Sequence, residues 1–320
     1  MPTLKFHSFR RTAALIALFG FAAAAGANDQ AGTRGFSFLR IGLGARAAGM
    51  GEAYTAVADG AEGLFWNPAG AGQINHPQIA TNYIHYVADM HAGSIGFAQP
   101  AGRFATWNLS LRFLSAGDIP RTTVADPTGA GSGEFSATDL AFGAGLAVRV
   151  GDRFFLGANG AVISGGIDGE SALGFSGDFG LLVRNAYRRL RLGAAVRNAG
   201  TMTSGYLNES DPLPTVVSAG TAYPFFDRRF LLSADWSWAV DWDSRFAVGA
   251  EWELVNDFFL RGGYRTHLDD LRDDSTGGDG TGASFGLGFR RVREYQIDYA
   301  YASMGDLGGT HRFSIAWVFR

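Results

Sequence analysis

The chain contains no cysteine, which removes disulfides, cysteine-ligated zinc sites and thiol catalysis. An excess of one charge sign is also missing. Lys plus Arg number 27 and Asp plus Glu 30, so no basic surplus points to nucleic acid. Phosphate-binding signatures are absent: the glycines at Gly42, Gly44, Gly49 and Gly51 form neither a Gly-x-Gly-x-x-Gly nor a loop ending in Lys-Ser/Thr. His76, His85, His91, His267 and His311 sit singly, without a His-Glu-x-x-His or a paired ligand spacing. They are expected as loop or interface histidines, with no metal and no cofactor. No Ser-His or Asp-His pair stands out as a catalytic candidate, so no catalytic residue and no enzyme activity are expected.

Long apolar runs are confined to one place. Lys5, Arg10 and Arg11 precede the apolar stretch Thr12 to Ala24, and Ala25-Gly26-Ala27 follows as a small-residue cleavage site. This is the order of a secretory signal peptide, and the run is too short for a spanning helix of about 20 residues. Residues 1–27 are therefore expected to be an export signal. No later segment carries the roughly 18 consecutive apolar residues of a transmembrane helix. An exported chain without one is periplasmic, secreted, or a barrel.

Glycine and aromatics are abundant, with 46 Gly, 26 Phe and 7 Trp. Glycine is about twice its average usage of roughly 7%. With 47% hydrophobic and only 18% charged residues, disorder is disfavoured. From Gln78 onward the sequence divides into about 14 strand-like runs, most with a period of two. In Arg245 to Leu254, Phe246, Val248, Ala250, Trp252 and Leu254 oppose Arg245, Glu251 and Glu253. In Glu294 to Ala302, Tyr295, Ile297, Tyr299 and Tyr301 oppose Glu294, Gln296 and Asp298.

A water-soluble sandwich also alternates, but its connections have no reason to alternate in length. Here short gaps near Gly102, Gly151-Asp152, Asn185 to Tyr187, Phe226 to Arg228, Val255-Asn256 and Val292-Arg293 interleave with longer ones. The longer ones include Ala116 to Ala137, Gly165 to Ser171, Gly200 to Leu213 and Leu268 to Gly282, with the short gap near Ala88 to Met90 as an exception on the long-loop side. Short turns on one side and long loops on the other are the habit of outer-membrane barrels. The fold expected is all-β: an antiparallel transmembrane β-barrel of about 14 strands over 78–320, preceded by a short hatch, or plug, over 28–77 inside the lumen. An even strand count puts both barrel ends on one side, and the N-terminal segment is expected on that periplasmic side with the C-terminus.

With the apolar parity facing lipid, Arg112, Arg149, Asp178, Arg184, Arg191, Arg197, Asp235, Arg245, Glu251, Glu253, Arg261, Arg265, Arg290, Asp298 and Arg312 point inward. Two readings stand: a charge-paired lining that holds the plug, or a selective passage. Inward small residues such as Gly143, Gly193 and Gly286 leave room for a plug or a ligand. Trp107, Trp236, Trp238, Trp252 and Trp317 lie on the lipid-facing parity as interfacial anchors.

The segment before the barrel breaks the alternation. Ala45 to Ala58 favours helix, Asp59-Gly60 stops it, and Asn67-Pro68-Ala69-Gly70 reads as a tight turn. Gly49-Met50-Gly51-Glu52-Ala53-Tyr54-Thr55-Ala56-Val57-Ala58-Asp59-Gly60, followed by Phe65-Trp66-Asn67-Pro68-Ala69-Gly70, resembles the plug of the PorV/PorQ family, which is related to FadL-type transporters of long-chain fatty acids. The resemblance implies a 14-stranded outer-membrane barrel closed by an N-terminal hatch. PorV/PorQ relatives imply a role in type IX secretion or surface attachment, with secretion-apparatus proteins or cargo as partners. The outer loops Ala116 to Ala137 and Leu268 to Gly282 would then be the contact surface. FadL relatives imply transport of a hydrophobic molecule, held near Phe65, Trp66, Asn67, Pro68 and Ala69. The PorV/PorQ role is the leading expectation and hydrophobic transport the alternative; outer-membrane lipid is a partner in both.

Overall fold

The computed structural model describes residues 33–122, 124, 127, 133–206, 211–266, 282–291 and 294–319. The expected export signal, His267, most of Leu268 to Gly282, Val292-Arg293 and parts of the two loops Ala116 to Ala137 and Gly200 to Leu213 lie outside them.

The strands are β1 (Gln78–His85), β2 (His91–Ala101), β3 (Ala105–Pro120), β4 (Glu134–Val150), β5 (Phe154–Ile167), β6 (Glu170–Val183), β7 (Arg191–Ser204), β8 (Val216–Phe225), β9 (Phe230–Ala239), β10 (Trp242–Val255), β11 (Phe258–Arg265), β12 (Ala283–Arg291), β13 (Tyr295–Ser303) and β14 (Gly309–Val318). Each pairs antiparallel with its sequence neighbours, and β1 pairs with β14 from Gln78↔Val318 to His85↔His311, closing the barrel. Closure leaves no free sheet edge, which is what lets strands cross a hydrocarbon layer.

Period-two alternation decides which face each residue takes. The outward face is apolar around the wall: Phe179 is 59% exposed, Trp252 50% and Phe285 66%. An apolar belt of this extent far exceeds the few hundred Å² that a protein in water leaves bare, and it suits lipid. Trp107, Trp238, Trp252 and Trp317 are exposed on it and Trp236 is half-buried.

Two sequence expectations about the connections change. The gap Gly165 to Ser171 is not a long loop. β5 and β6 run on until a two-residue turn at Asp168 and Gly169, both with left-handed backbone (φ 50 and 85). Asp-Gly is the favoured pair for such a hairpin turn, so the strands continue past the point where their apolar pattern weakens. β3 and β4, with 16 and 17 residues, likewise extend beyond the 9–11 residues a tilted membrane strand requires.

Residues 36–74 lie inside the barrel. The expected long helix Ala45 to Ala58 is a single turn, α1 (Ala45–Gly49). Gly51 and Glu52 adopt left-handed backbone (φ 64 and 67), and the Gly51 amide donates to the wall through Ser284 Oγ at 3.0 Å. Wall contacts thus outweigh the helix preference of Ala and Met. The Asn67-Pro68 turn forms as expected. Asn67 caps the 3-10 segment Pro68–Gln73, accepting from the Ala69 amide, with Pro at its first position.

The luminal segment also runs differently from expectation. The Gly35 amide donates to the Pro212 carbonyl in the β7–β8 connection at 3.2 Å, at the end where the long connections lie. The chain then crosses to the short-turn end, where it enters β1. Phe36, Phe38 and Leu39 pack on Ile163, Ala172, Met202 and Leu213 at the first end. Met50, Tyr54, Val57, Phe65 and Trp66 meet Ile84, Ala92, Ala222 and Leu231 in the middle. Ala61, Leu64 and Ala71 meet Ala80, Ala98 and Ala147 further along. The closing strands β1 and β14 fix only where residue 78 starts; these apolar patches inside the wall draw the preceding chain through the lumen.

Candidate functional site: the clamped plug

α1 carries Arg46 into the centre of the lumen. Its guanidinium donates to Glu251 on β10 through Nε and Nη2, each at 2.8 Å, the paired-fork geometry that suits a carboxylate. Its remaining nitrogen donates to Tyr54 Oη at 3.1 Å and Asp59 Oδ1 at 3.0 Å. Glu251 also accepts from Arg261 Nε at 2.7 Å, and Arg261 reaches Asp298 at 2.8 Å. Arg261, 1% exposed, is among the most deeply buried side chains of the wall. Such charges are tolerable in a dry interior only when opposite charges lie close; Arg261 and Asp298 meet as an ion pair, though Nη1 and Nη2 of Arg261 make no hydrogen bond. The result is a chain of charge running from plug to wall.

A second clamp is built on Glu52, which pairs with Arg265 and with Arg312. Arg312 also donates to the Gly42 carbonyl at 2.6 Å. Burial alone would raise the Glu52 carboxyl; the two guanidinium groups outweigh it and hold it below the ordinary carboxylate range. Glu62 is the opposite case. Burial, then the Asp298 carboxylate, raises it to about 7 against the pull of Arg46 and Arg261, and its Oε1 is buried without a hydrogen-bond partner.

Asp235 grips the plug backbone, one carboxylate oxygen accepting from the amides of Tyr54 at 2.9 Å and Thr55 at 2.6 Å. Arg112 donates to the Leu39 carbonyl at 3.0 Å and lies over the Phe65 ring at 4.8 Å. Arg197 donates to the Phe65 carbonyl at 3.1 Å and lies over Trp66 at 5.0 Å. Trp66 Nε1 donates to the Leu43 carbonyl at 2.7 Å. The Asn67 amide donates to Thr55 O and to two wall carbonyls, Leu181 at 3.1 Å and Ala194 at 3.3 Å. Pro68 and Ala69 press on the wall where it has no side chain: a Cβ built on Gly157 would stand 2.3 Å from the Pro68 carbonyl carbon. A Cβ on Gly193 or Gly286 would likewise meet plug backbone, at Thr55 and Gly49, whereas one on Gly143 would meet only wall atoms.

Of the fifteen charges that parity places inward, Arg112, Arg197, Asp235, Glu251, Arg265 and Arg312 bind the plug directly, and Arg261 acts through Glu251. Asp178 instead accepts from the Asn198 amide at 2.6 Å, where Asn198 has left-handed backbone (φ 58) and the β6–β7 register shifts. Arg191 reaches no plug residue by hydrogen bond among the described contacts. It lines a cavity of about 450 Å³ at the short-turn end with Arg184, Arg290, Arg291, Asp59 and Glu62. Two inward residues near strand ends serve the rim turns instead: Arg149 of β4 donates to the Gly151 carbonyl and to Asp152, and Glu253 of β10 accepts from the Asp257 amide. Arg46 and Glu52 were missed as anchors. Their one signal was charge inside an otherwise Ala- and Gly-rich segment.

Beside Phe65 the remaining cavity is about 20 Å³, lined by Leu39, Leu64, Arg112 and Asp178 among others, space for about one water molecule. A larger cavity of about 50 Å³ lies against Glu52, Trp66, Asp235 and Arg265 and is ringed by polar groups. Between residues 36–74 and the strands, the hydrogen bonds among the described residues use a side chain on at least one partner; no plug residue joins the sheet ladder.

The model of an uncharacterised protein family, UPF0164, matches residues 15–154. No curated protein matches the chain. Among solved structures, the Ralstonia pickettii toluene transporter TbuX is similar at 14% identity, with a TM-score of 0.62 over 87% of this chain and 99% of that one. The Pseudomonas putida toluene transporter TodX is similar at 12% identity and a TM-score of 0.61, over 86% and 97%. A Pseudomonas aeruginosa FadL homologue is similar at 16% identity and a TM-score of 0.54, over 86% and 98%. At these identities the likeness is one of fold: the chain is a closed 14-stranded antiparallel barrel that resembles these structures.

Proposed function

We propose that the chain is an outer-membrane barrel that binds a hydrophobic small molecule and passes it through the wall or lumen when the plug shifts, without catalysis. In this reading residues 1–27 are the export signal, 28–77 the hatch and 78–320 the barrel. One observation carries it: the plug is attached by side-chain clamps rather than by sheet pairing. It can move while all 14 strand pairings stay closed. The space of about 20 Å³ beside Phe65 is far below the roughly 300 Å³ of a small-ligand site. A ligand therefore takes the place of Phe65, Trp66 and Asn67 to Ala69, among apolar wall residues with Arg112 and Arg197 at the edge. The solved structures of similar fold, two of them toluene transporters, support a small apolar cargo.

The test uses purified protein in detergent, titrated with toluene and with a fluorescent long-chain fatty acid, then the same probes with protein in liposomes. Saturable binding and protein-dependent flux of either probe are expected. Absence of both for both probes overturns the reading.

A role in secretion or surface attachment rests on the plug resemblance to PorV/PorQ. The β3–β4 and β5–β6 hairpins, longer than a bilayer requires, would serve it as contact surface. Crosslinking in native outer membrane separates the two: co-purified secretion components favour attachment, and a barrel carrying only lipid favours transport.

A further inference from the structure

We propose that the rim of the β1–β2 hairpin is a binding site for a divalent transition-metal ion of the Zn²⁺ class, with His85, His91 and Asp89 as its protein ligands. His85 and His91 stand directly opposite each other on the last rung of the hairpin. The connection between them, Tyr86 to Met90, is closed by the Tyr86 amide donating to the Met90 carbonyl at 2.8 Å. Within it Ala88 and Asp89 take left-handed backbone (φ 54 and 56), a region that residues with a side chain seldom enter. That turn carries Asp89 back over the rung. One ligand atom from each of the three residues lies within 4.8 Å of the other two. Bonds of about 2.0–2.1 Å to a tetrahedral ion require these atoms roughly 3.3 Å apart, a closure that side-chain rotation supplies.

The donor set points to the class of metal. Two imidazoles and a carboxylate suit Zn²⁺, Cu²⁺ or Ni²⁺ and leave a position for water, whereas Ca²⁺ and Mg²⁺ take oxygen ligands. The ring of His91 is already oriented: its Nδ1 lies 2.8 Å from Tyr83 Oη, leaving Nε2 for the ion. Metal-ligating histidines commonly have their second nitrogen held in this way. Across the barrel seam, His311 is the other rung neighbour of His85, so half of the six histidines in the chain share one rung of three strands. The Nδ1 of His311 is engaged by Tyr299 Oη at 2.9 Å, which makes it a flanking group rather than a ligand. The rung faces outward at the end bearing the long connections, apart from the plug, so the site stands independently of transport. The sequence hid it because the spacing of His85, Asp89 and His91 matches no helical or hairpin metal motif; only strand pairing across a left-handed turn brings the three together.

The test is titration of the full chain in detergent with Zn²⁺ by calorimetry, with Co²⁺ replacing Zn²⁺ to read ligand geometry from its visible absorption. One saturable equivalent is expected, with Co²⁺ absorption of tetrahedral intensity. H85A and H91A should each weaken binding by about tenfold or more, while H76A, at the opposite end, leaves it unchanged. D89N alters only an exposed loop residue and should weaken binding while the barrel keeps its heat-modifiable electrophoretic shift. No saturable binding by the unmodified protein overturns the proposal, as does equal binding by H85A/H91A.

Discussion

Glu251 is the most informative position to perturb, because it joins Arg46 of the plug to Arg261 of the wall. In Glu251→Ala, both guanidinium groups lose their carboxylate in a site from which water is excluded. Removing one partner of a buried pair costs about 3–5 kcal/mol. Arg261 keeps Asp298 at 2.8 Å, so most of the cost falls on Arg46, which retains only Asp59 and Tyr54. The seated plug is therefore weakened by about 3 kcal/mol, or roughly 150-fold in the ratio of seated to displaced forms. Arg46→Ala leaves the Glu251–Arg261 pair in place and should cost less. The barrel itself should persist, since neither side chain contributes to the sheet ladder. Hydrogen exchange of residues 45–59, followed by mass spectrometry in detergent, reads the effect: those amides should exchange on the order of 100-fold faster in Glu251→Ala, with strand amides unchanged. The exposed pair Arg189–Asp227 is the control, worth about 0–1 kcal/mol, and R189A should leave plug exchange as it was. Plug exchange in Glu251→Ala equal to that of the unmodified chain would refute the clamp. Simultaneous loss of strand protection would show that the pair supports the wall instead.

Asn67→Ala removes an amide serving Thr55, Leu181 and Ala194 and should destabilise the seated plug by about 1–3 kcal/mol, seen as faster exchange at residues 64–71. Gly157→Leu drives a side chain into the Pro68–Ala69 backbone, where even a Cβ would stand 2.3 Å away. It should displace the Asn67 turn and raise probe flux into liposomes, and unchanged flux would count against plug movement as the gate. Glu62, raised to about 7 from 4.5, binds its proton more tightly in the folded state than in the unfolded chain. Its contribution is complete below pH 4.5 and is lost as pH rises through about 7. Plug exchange should quicken over that window, and E62Q should flatten the dependence. Mass spectrometry of the exported protein should find Asn28 as its first residue, because the small-residue site ends at Ala27.

The sequence alone determined the wall. Alternation with period two is a local property of the backbone, so the outward Trp252 and Phe285 and the inward Glu251 and Arg261 could be sorted without knowing their neighbours. The number of runs then gave the number of strands, starting at Gln78. The Asn67-Pro68 turn was legible for the same reason: a cap and a fixed φ act within a few residues. Only the tertiary structure decided the plug. Ala45 to Ala58 carries a helical preference, yet Gly51 and Glu52 turn away from helix because Ser284, Arg265 and Arg312 await them more than two hundred residues along the chain. Pairings of that separation leave no spacing to read. The same holds for Arg46 with Glu251, and for the rung that brings His85 and Asp89 to His91. Local geometry is written along the chain, whereas the partner of a buried charge is set by which strands the closed cylinder places around it.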